Sequence, residues 1–420
     1  MPSGTRDMQL VIGLTGSFGS GCSTVAGLLQ KTGDYHVEAL STPIKEAAKK
    51  RGLPLERRAL QELGNELREQ RGNGFVALQA AKAAKKAAPK KHWVLDGIRN
   101  PGEIEVLRSE FPNFYLIAVD ASRDIRYARL KSRYARNEAE FDRDDQRDRA
   151  EPFPHGQQVA ACVDRADVLL INENEFTGKA RVRRELESKI DEHVVLMASP
   201  GSRLPSPREL LMHLAYSASL RSSCLKRQVG AVIVAPYDSS AIMPPGLVPG
   251  SDEFAVVAAG YNEVPRGQDT CRDRYEGQCY RDQKRSERPD AIARLGLRCK
   301  CGEPVTTPQC RKCCADLSAV FQPEKALDYC RALHAEETAI LQGTRTGGPA
   351  LSGAVLYTTT FPCLLCAKMI VHAGIKEVVY VEAYPGREAT EFLKDAGVSI
   401  TRFEGVKAQA FYRLFKSTLS

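Results

Sequence analysis

Two short clusters late in the chain carry the strongest chemistry: His334-Ala335-Glu336 and Pro362-Cys363-Leu364-Leu365-Cys366. One imidazole and two thiolates are three ligands for Zn2+, which leaves the fourth tetrahedral position to a water. Zinc lowers the pKa of such a water enough to give hydroxide near neutral pH. Glu336 stands two residues past His334 and is left free of the metal. It can take a proton from that water and pass it to a ring nitrogen and then to a departing group. Cys363 and Cys366 fall at an expected helix start, where the helix dipole favours their thiolate forms. A structural zinc site usually closes with a fourth protein ligand, and this local pattern has none, so the expected chemistry is hydrolytic.

Several elements must position these groups. After a helix over about 208–221, the runs VGAVIV and FAVVAAG read as strands, followed by a long irregular insert. A helix then starts near His334, the strand GAVLYTT follows, and a second helix starts near Cys363. The strand EVVYVE, a further helix and a short strand complete an α/β pattern. In the first half, LVIGLTG, YHVEALS, HWVLDGIR, FYLIAVDA and DVLLINE alternate with helical stretches, which predicts a parallel sheet covered by helices. The Pro/Ser/Gly-rich MASPGSRLPSP cannot continue a helix and reads as an interdomain linker. The expected organisation is therefore a first domain over 1–195, a linker over 196–207 and a second domain over 208–420, with an insert at about 266–330.

The H-x-E…P-C-x-x-C arrangement is the signature of the zinc deaminases. With it, the segment from about 208 to 385 resembles the deoxycytidylate deaminases: LLMHLAYSASLRSSCLKRQVGAVIV is similar to that family's opening, and Ala259-Gly260-Tyr261-Asn262 to its substrate loop. The resemblance implies a cytidine deaminase-like α-β-α fold with a central five-stranded sheet, and zinc held by His334, Cys363 and Cys366 at two helix N-termini. It also implies that Asn262 contacts the sugar of a nucleotide, an Asn offering both donor and acceptor to a hydroxyl; the other reading of Asn262 is a turn residue. Arg221, Lys226 and Arg227, just before the first strand, are within reach of a substrate phosphate or are plain surface charges.

The insert carries Cys299-x-Cys301 and Cys310-x-x-Cys313 beside turn residues, a pattern for a four-thiolate structural zinc. Cys271, Cys279, Cys314 and Cys330 are alternative ligands. The segment is too polar to fold on apolar burial alone, which is where a metal contributes most.

Near the N-terminus, Gly16, Gly19 and Gly21 precede Cys22, Ser23 and Thr24, between the strand LVIGLTG and a helix. This is the context of a phosphate-binding P-loop, with Ser23 placed to hold Mg2+; Asp96, at the end of the strand HWVLD, is either a second Mg2+ contact or a strand-end turn residue. The lysine of such loops is replaced by Cys22. ATP or GTP bound as a regulator therefore fits better than efficient phosphoryl transfer, and a structural relic is the remaining alternative. Arg126, Arg129, Arg133 and Arg136 share a helix face, as in the lid of nucleoside monophosphate kinases, or form an ion-paired surface helix. The whole first half resembles a nucleotide kinase that has lost its lysine.

Composition sets the outer bounds. The 420 residues are 43% apolar and 27% charged, with a net charge of +8, the balance of a globular chain that suits a polyanionic partner. No apolar run approaches the ~20 residues of a membrane span, and MPSGTRDMQL has no signal-peptide core, so no membrane association and a cytoplasmic location are expected. Eight of the 13 cysteines lie between Cys271 and Cys330, which in a reducing compartment favours metal over disulfides. A P-loop domain joined to a deoxycytidylate-type deaminase with a cysteine-rich insert resembles the bacterial anti-phage deoxycytidine-nucleotide deaminases. That resemblance implies conversion of dCTP and dCMP to dUTP and dUMP, an inhibitory small RNA as restraint, and a homo-oligomer. A salvage dCMP deaminase under allosteric nucleotide control is the alternative. A nucleic-acid editor would need an aromatic-lined basic groove; aromatics are 7% of the chain, with Tyr275 and Tyr280 in the insert but no clustered Trp or Phe.

Overall fold

The computed structural model describes residues 9–135, 137–173, 180–236, 254–287, 294–307, 309–315, 330–345, 351–382 and 387–416. Two units emerge, each α/β: Met1–His213 together with Arg402–Ser420, and Leu214–Thr401.

In the first unit the five expected strands are β1 (Val11–Thr15), β2 (Tyr35–Ala39), β3 (His92–Asp96), β4 (Phe114–Asp120) and β5 (Val168–Ile171). All five pair in parallel, in the order β5-β4-β1-β3-β2. The apolar runs supply both faces of this sheet, and helix Cys22–Lys31 buries Val25, Ala26, Leu28 and Leu29 against it. The register sets Leu14 opposite Asp96, so the loop leaving β1 and the carboxylate ending β3 lie side by side. Ligands of open α/β sheets bind at such strand ends, where the chain order reverses.

Two expected boundaries move. Residues 402–420, counted with the second domain on sequence, belong to the first unit. The strand Gly405–Val406 adds antiparallel to β5, pairing with Leu169 and Val168, and helix Ala408–Phe415 buries Ala410 and Leu414 in the first core. An uncovered edge on β5 would leave ladder groups unpaired, and this segment closes it. Lys407, 1% exposed, donates from Nζ to the carbonyls of Val163 and Asp164 at 2.9 and 2.8 Å, the negative end of helix Val159–Asp164. The stretch 196–207 also lies inside the first unit rather than between two domains. Its Arg203 pairs with Glu192 and Glu209, at 2.8 and 2.7 Å, which ties helix Ala180–Ala198 to helix Pro207–Ser219.

The second unit contains the five-stranded sheet that the resemblance implied. We number its strands onward in chain order as β6 (Gly230–Pro236), β7 (Phe254–Tyr261), β8 (Val355–Thr360), β9 (Glu377–Glu382) and β10 (Ser399–Arg402), arranged β10-β9-β8-β6-β7. β6 runs antiparallel to β7 and β8, and β8 parallel to β9. Helices Ala335–Arg345 and Leu364–His372 pack Ala335, Ala339, Ala367 and Ile370 into its core. Gly260 on β7 lets helix Ala335–Arg345 approach closely: a Cβ there would stand 2.2 Å from the carbonyl oxygen of Ala335. Among the described residues, no helix is long and apolar enough to cross a membrane.

Candidate active site

His334 immediately precedes helix Ala335–Arg345, and its backbone N–H donates to the Glu337 carboxylate at 2.7 Å. That capping contact fixes the start of the helix and hence the direction of the imidazole. Cys363 is the N-cap of helix Leu364–His372, entered directly from β8, and Cys366 lies one turn on. The two helix starts meet. His334 Nδ1 lies 3.4 Å from Cys363 Sγ and 3.3 Å from Cys366 Sγ, and the two sulfurs are 3.7 Å apart.

Zinc–sulfur bonds of ~2.3 Å and zinc–nitrogen bonds of ~2.0 Å at tetrahedral angles require S···S near ~3.8 Å and S···N near ~3.5 Å. The trio fits a zinc ion with little adjustment. Its electrostatics agree. A hydrogen bond from the Cys366 thiol, aided by His334, brings the Cys363 thiol down to about 4. The bond to Cys363 lifts His334 to about 9, although burial opposes it, and Cys366 retains its proton. Thiolate character therefore pre-exists where a cation would sit.

Glu336 is 3% exposed and lies 3.7 Å from Cys366 Sγ through Oε2. Burial lifts its carboxyl to about 7, with the nearby imidazolium opposing. It lies beside the three ligands, a free proton-carrying group of the kind that hydrolysis needs.

Around this centre the other expected residues fare differently. Asn262 is buried, and its Oδ1 accepts from the Val229 N–H at 2.6 Å, so only its amide NH2 remains for a ligand. The bond ties this loop to the residue before β6, 33 positions earlier in the chain, and leaves the NH2 group as a donor. Lys226 is ion-paired with Asp282, and Arg227 with Glu382 at 2.6 Å. Arg221 packs over the Tyr261 ring at 5.6 Å. Two of the three cations proposed for phosphate thus already have carboxylate partners.

In the insert, Cys299, Cys301, Cys310 and Cys313 converge with all four sulfurs within 4.8 Å of one another. The sulfurs of Cys299 and Cys313 are 3.6 Å apart, and those of Cys301 and Cys310 are 3.5 Å apart. Backbone N–H groups of Cys313 and Lys312 point at the Cys310 sulfur and lower it to about 6. The set can hold a second zinc; Cys271, Cys279, Cys314 and Cys330 lie outside it.

In the first unit, Gly19 and Gly21 adopt left-handed φ values of 82° and 110° before helix Cys22–Lys31, and a Cβ on Gly21 would lie 2.3 Å from Asn172 Nδ2. Ser23 Oγ donates to Asp96 Oδ2 at 3.0 Å, the pairing expected of a divalent-cation site. Burial and the Asp96 charge lift the Cys22 thiol to about 12, which leaves it neutral. The arginine lid reads differently in three dimensions. Arg126 is buried in an ion pair with Asp145, and Arg129 donates to the carbonyls of Gly19 and Ser20 at 2.9 and 3.0 Å. These two brace the P-loop; Arg133 lines the cavity, and Arg136 lies outside the described residues.

Sequence reasoning missed Glu337, whose position three residues past His334 is a capping-box spacing, and read Gly260 only as part of the substrate loop, its contact with helix Ala335–Arg345 being visible only in packing. It also missed Arg57, Arg99 and Asp148 beside the P-loop, which no local motif marks.

The family model for the cytidine and deoxycytidylate deaminase zinc-binding region matches residues 251–382, and that for an AAA domain matches 12–150. A deoxycytidylate deaminase of Schizosaccharomyces pombe is 29% identical over 322 residues, which cover 75% of this chain and 77% of the relative. One of Saccharomyces cerevisiae is 32% identical over 200 residues, 47% of this chain and 45% of the relative. A UPF0200 protein of Pyrococcus abyssi is 31% identical over 183 residues, 42% of this chain and 94% of that protein. Over its first half the chain therefore belongs to the UPF0200 family, and over its second it is a zinc-dependent deaminase of the cytidine and deoxycytidylate type.

Proposed function

We propose that this protein hydrolyses deoxycytidine nucleotides, dCMP and dCTP, to the deoxyuridine nucleotides and ammonia. The observation that carries the reading is the buried free carboxylate of Glu336 beside a three-ligand His–Cys–Cys set. The yeast relatives named deoxycytidylate deaminase support the substrate class. When bound, zinc supplies the Lewis acidity that makes a water nucleophilic near neutral pH. Glu336 takes the proton of the attacking water, delivers it to ring nitrogen N3, and then carries a proton to the amine as it leaves C4. The NH2 group of Asn262 donates to a sugar hydroxyl, while its Oδ1 stays on Val229. The four cysteines of the insert hold a second, structural zinc.

The P-loop unit supports controlled rather than constitutive turnover, with ATP or GTP as the regulatory ligand. From the resemblance to the anti-phage deaminases we further propose a cytoplasmic homo-oligomer that depletes a DNA precursor in antiviral defence, restrained until needed by a ligand or a small RNA. Salvage of dCMP under nucleotide control uses the same chemistry, and the relatives' names favour it for the monophosphate.

The test is ammonia release by the full chain on dCMP, dCTP, CMP, CTP and single-stranded DNA, with and without ATP or GTP. Turnover of dCTP supports the defence reading, and turnover of dCMP alone supports salvage. Activity confined to the DNA strand overturns the free-nucleotide assignment.

A further inference from the structure

The P-loop reading leaves a chemical gap: its lysine is missing, and Cys22 in that place is neutral. The cavity over the loop is about 860 Å3, ample for a nucleotide. Its basic lining residues are Lys45, Arg57, Arg68, Arg99, Arg129 and Arg133, against Asp96 as the sole carboxylate in the lining. Arg68 is neutralised by Glu103 at 2.8 Å, and Arg129 is committed to P-loop carbonyls. Arg57 and Arg99 are arranged differently.

Both pair with Asp148, whose side chain is fully buried: Arg57 Nη2 at 3.2 Å, and Arg99 through Nη1. The other oxygen of Asp148 accepts from the P-loop itself, the N–H of Phe18, at 3.3 Å. The Arg57 guanidinium also lies over the Phe18 ring, 4.2 Å from its centroid. One carboxylate thus ties two guanidiniums to the phosphate loop and leaves a surplus positive charge. Arg99, on the loop after β3, is the member whose charge reaches Asp96, as Arg57's does not. Its charge, like that of Asp96, is felt at Cys22.

We propose that Arg99, held by Asp148, supplies the cation that Cys22 cannot, so that the P-loop retains a site for the phosphate chain of a nucleoside triphosphate with Mg2+ at Ser23 and Asp96. An arginine suits the place, since its guanidinium can donate to a phosphate oxygen while another edge stays on Asp148. The inference rests on the reading of the first unit as a nucleotide-binding domain.

The test is equilibrium binding of ATP and GTP, with Mg2+, to the full-length zinc-loaded chain, beside thermal unfolding of the nucleotide-free protein. Arg99→Gln should weaken binding roughly tenfold or more, the scale of one charged hydrogen bond. Adding Cys22→Lys to Arg99→Gln should restore affinity. Affinity unchanged by Arg99→Gln, or a double variant that binds no better than Arg99→Gln alone, overturns the inference but not the nucleotide-binding reading. A wild type that binds neither nucleotide overturns both. Should Arg99→Gln fail to fold, Arg99→Lys keeps the charge: binding within a few-fold of wild type supports the proposal, and a tenfold loss in a folded Arg99→Lys refutes it.

Discussion

Glu336 Oε2 and Cys366 Sγ lie 3.7 Å apart, although thirty residues and one sheet strand separate them in the chain. The contact sets a proton carrier beside one sulfur of the His334, Cys363 and Cys366 set that fits zinc, while Glu336 stays outside that set. Charge on one is therefore felt at the other, and Glu336 can work next to the metal while keeping its own proton traffic.

Glu336→Gln keeps the shape of the side chain and removes its basicity. Turnover should fall by about 10²- to 10⁴-fold while zinc content and melting temperature stay near wild type. Ammonia release and metal analysis on the same preparation check it; a variant that retains a tenth of the activity would sink the assigned role.

Cys310→Ser attacks the insert alone. The four-sulfur set loses a ligand, so one equivalent of zinc should be lost while the His334, Cys363 and Cys366 trio keeps its own. Limited proteolysis should then cut within 294–315, since little apolar burial besides Val305 holds that segment. Full zinc retention would mean the cluster is not a metal site.

Gly260 sets how closely the helix bearing Glu336 approaches β7. In Gly260→Ala the new Cβ would stand 2.2 Å from the Ala335 carbonyl oxygen and 2.4 Å from the Ala339 nitrogen, both backbone atoms that cannot swing aside. Overpacking of this kind costs about 1–3 kcal/mol. The helix must shift, so kcat should fall further than the loss of stability explains, read by activity at a temperature where both proteins remain folded.

Glu209 links the C-terminal segment to the first unit through its bond to the Val406 N–H at 2.9 Å. Burial would raise its pKa, but Arg203 and the N–H groups of Val406 and Ser206 win and hold it below the ordinary 4.5. A depressed carboxylate stabilises the fold above its ordinary pKa, and that contribution fades as pH falls through the lowered value. Urea unfolding from pH 7 to pH 3 should therefore show Glu209→Gln less stable at pH 7, with the gap closing below 4.5. A constant gap across that range would show that charge is not the source.

The zinc trio and Glu336 were legible because every ligand belongs to a local spacing. His-x-Glu sits at one helix start and Cys-x-x-Cys at another, and helical geometry turns such spacings directly into directions in space. The two α/β patterns were legible for the same reason, since buried parallel strands announce themselves as apolar runs. So was the convergence of Cys299, Cys301, Cys310 and Cys313, where closely spaced pairs beside turns bring sulfurs together.

Long-range packing decided what local pattern could not. Gly405–Val406 is a two-residue strand whose partner lies more than two hundred residues earlier, and no periodicity in so short a piece names β5 as its edge. The amphipathic helix Ala408–Phe415 carries an apolar face but no address. Lys226 and Arg227 read as cations open to phosphate until folding brought Asp282 and Glu382 to them. Around the P-loop, sequence alone revealed the missing lysine, whereas the meeting of Phe18, Arg57, Arg99 and Asp148 exists only in the tertiary structure. Chemistry carried by neighbours in sequence was determined by the sequence itself; charge balance, edge closure and close helix approach depend on residues far apart, and only the packed fold sets their distances.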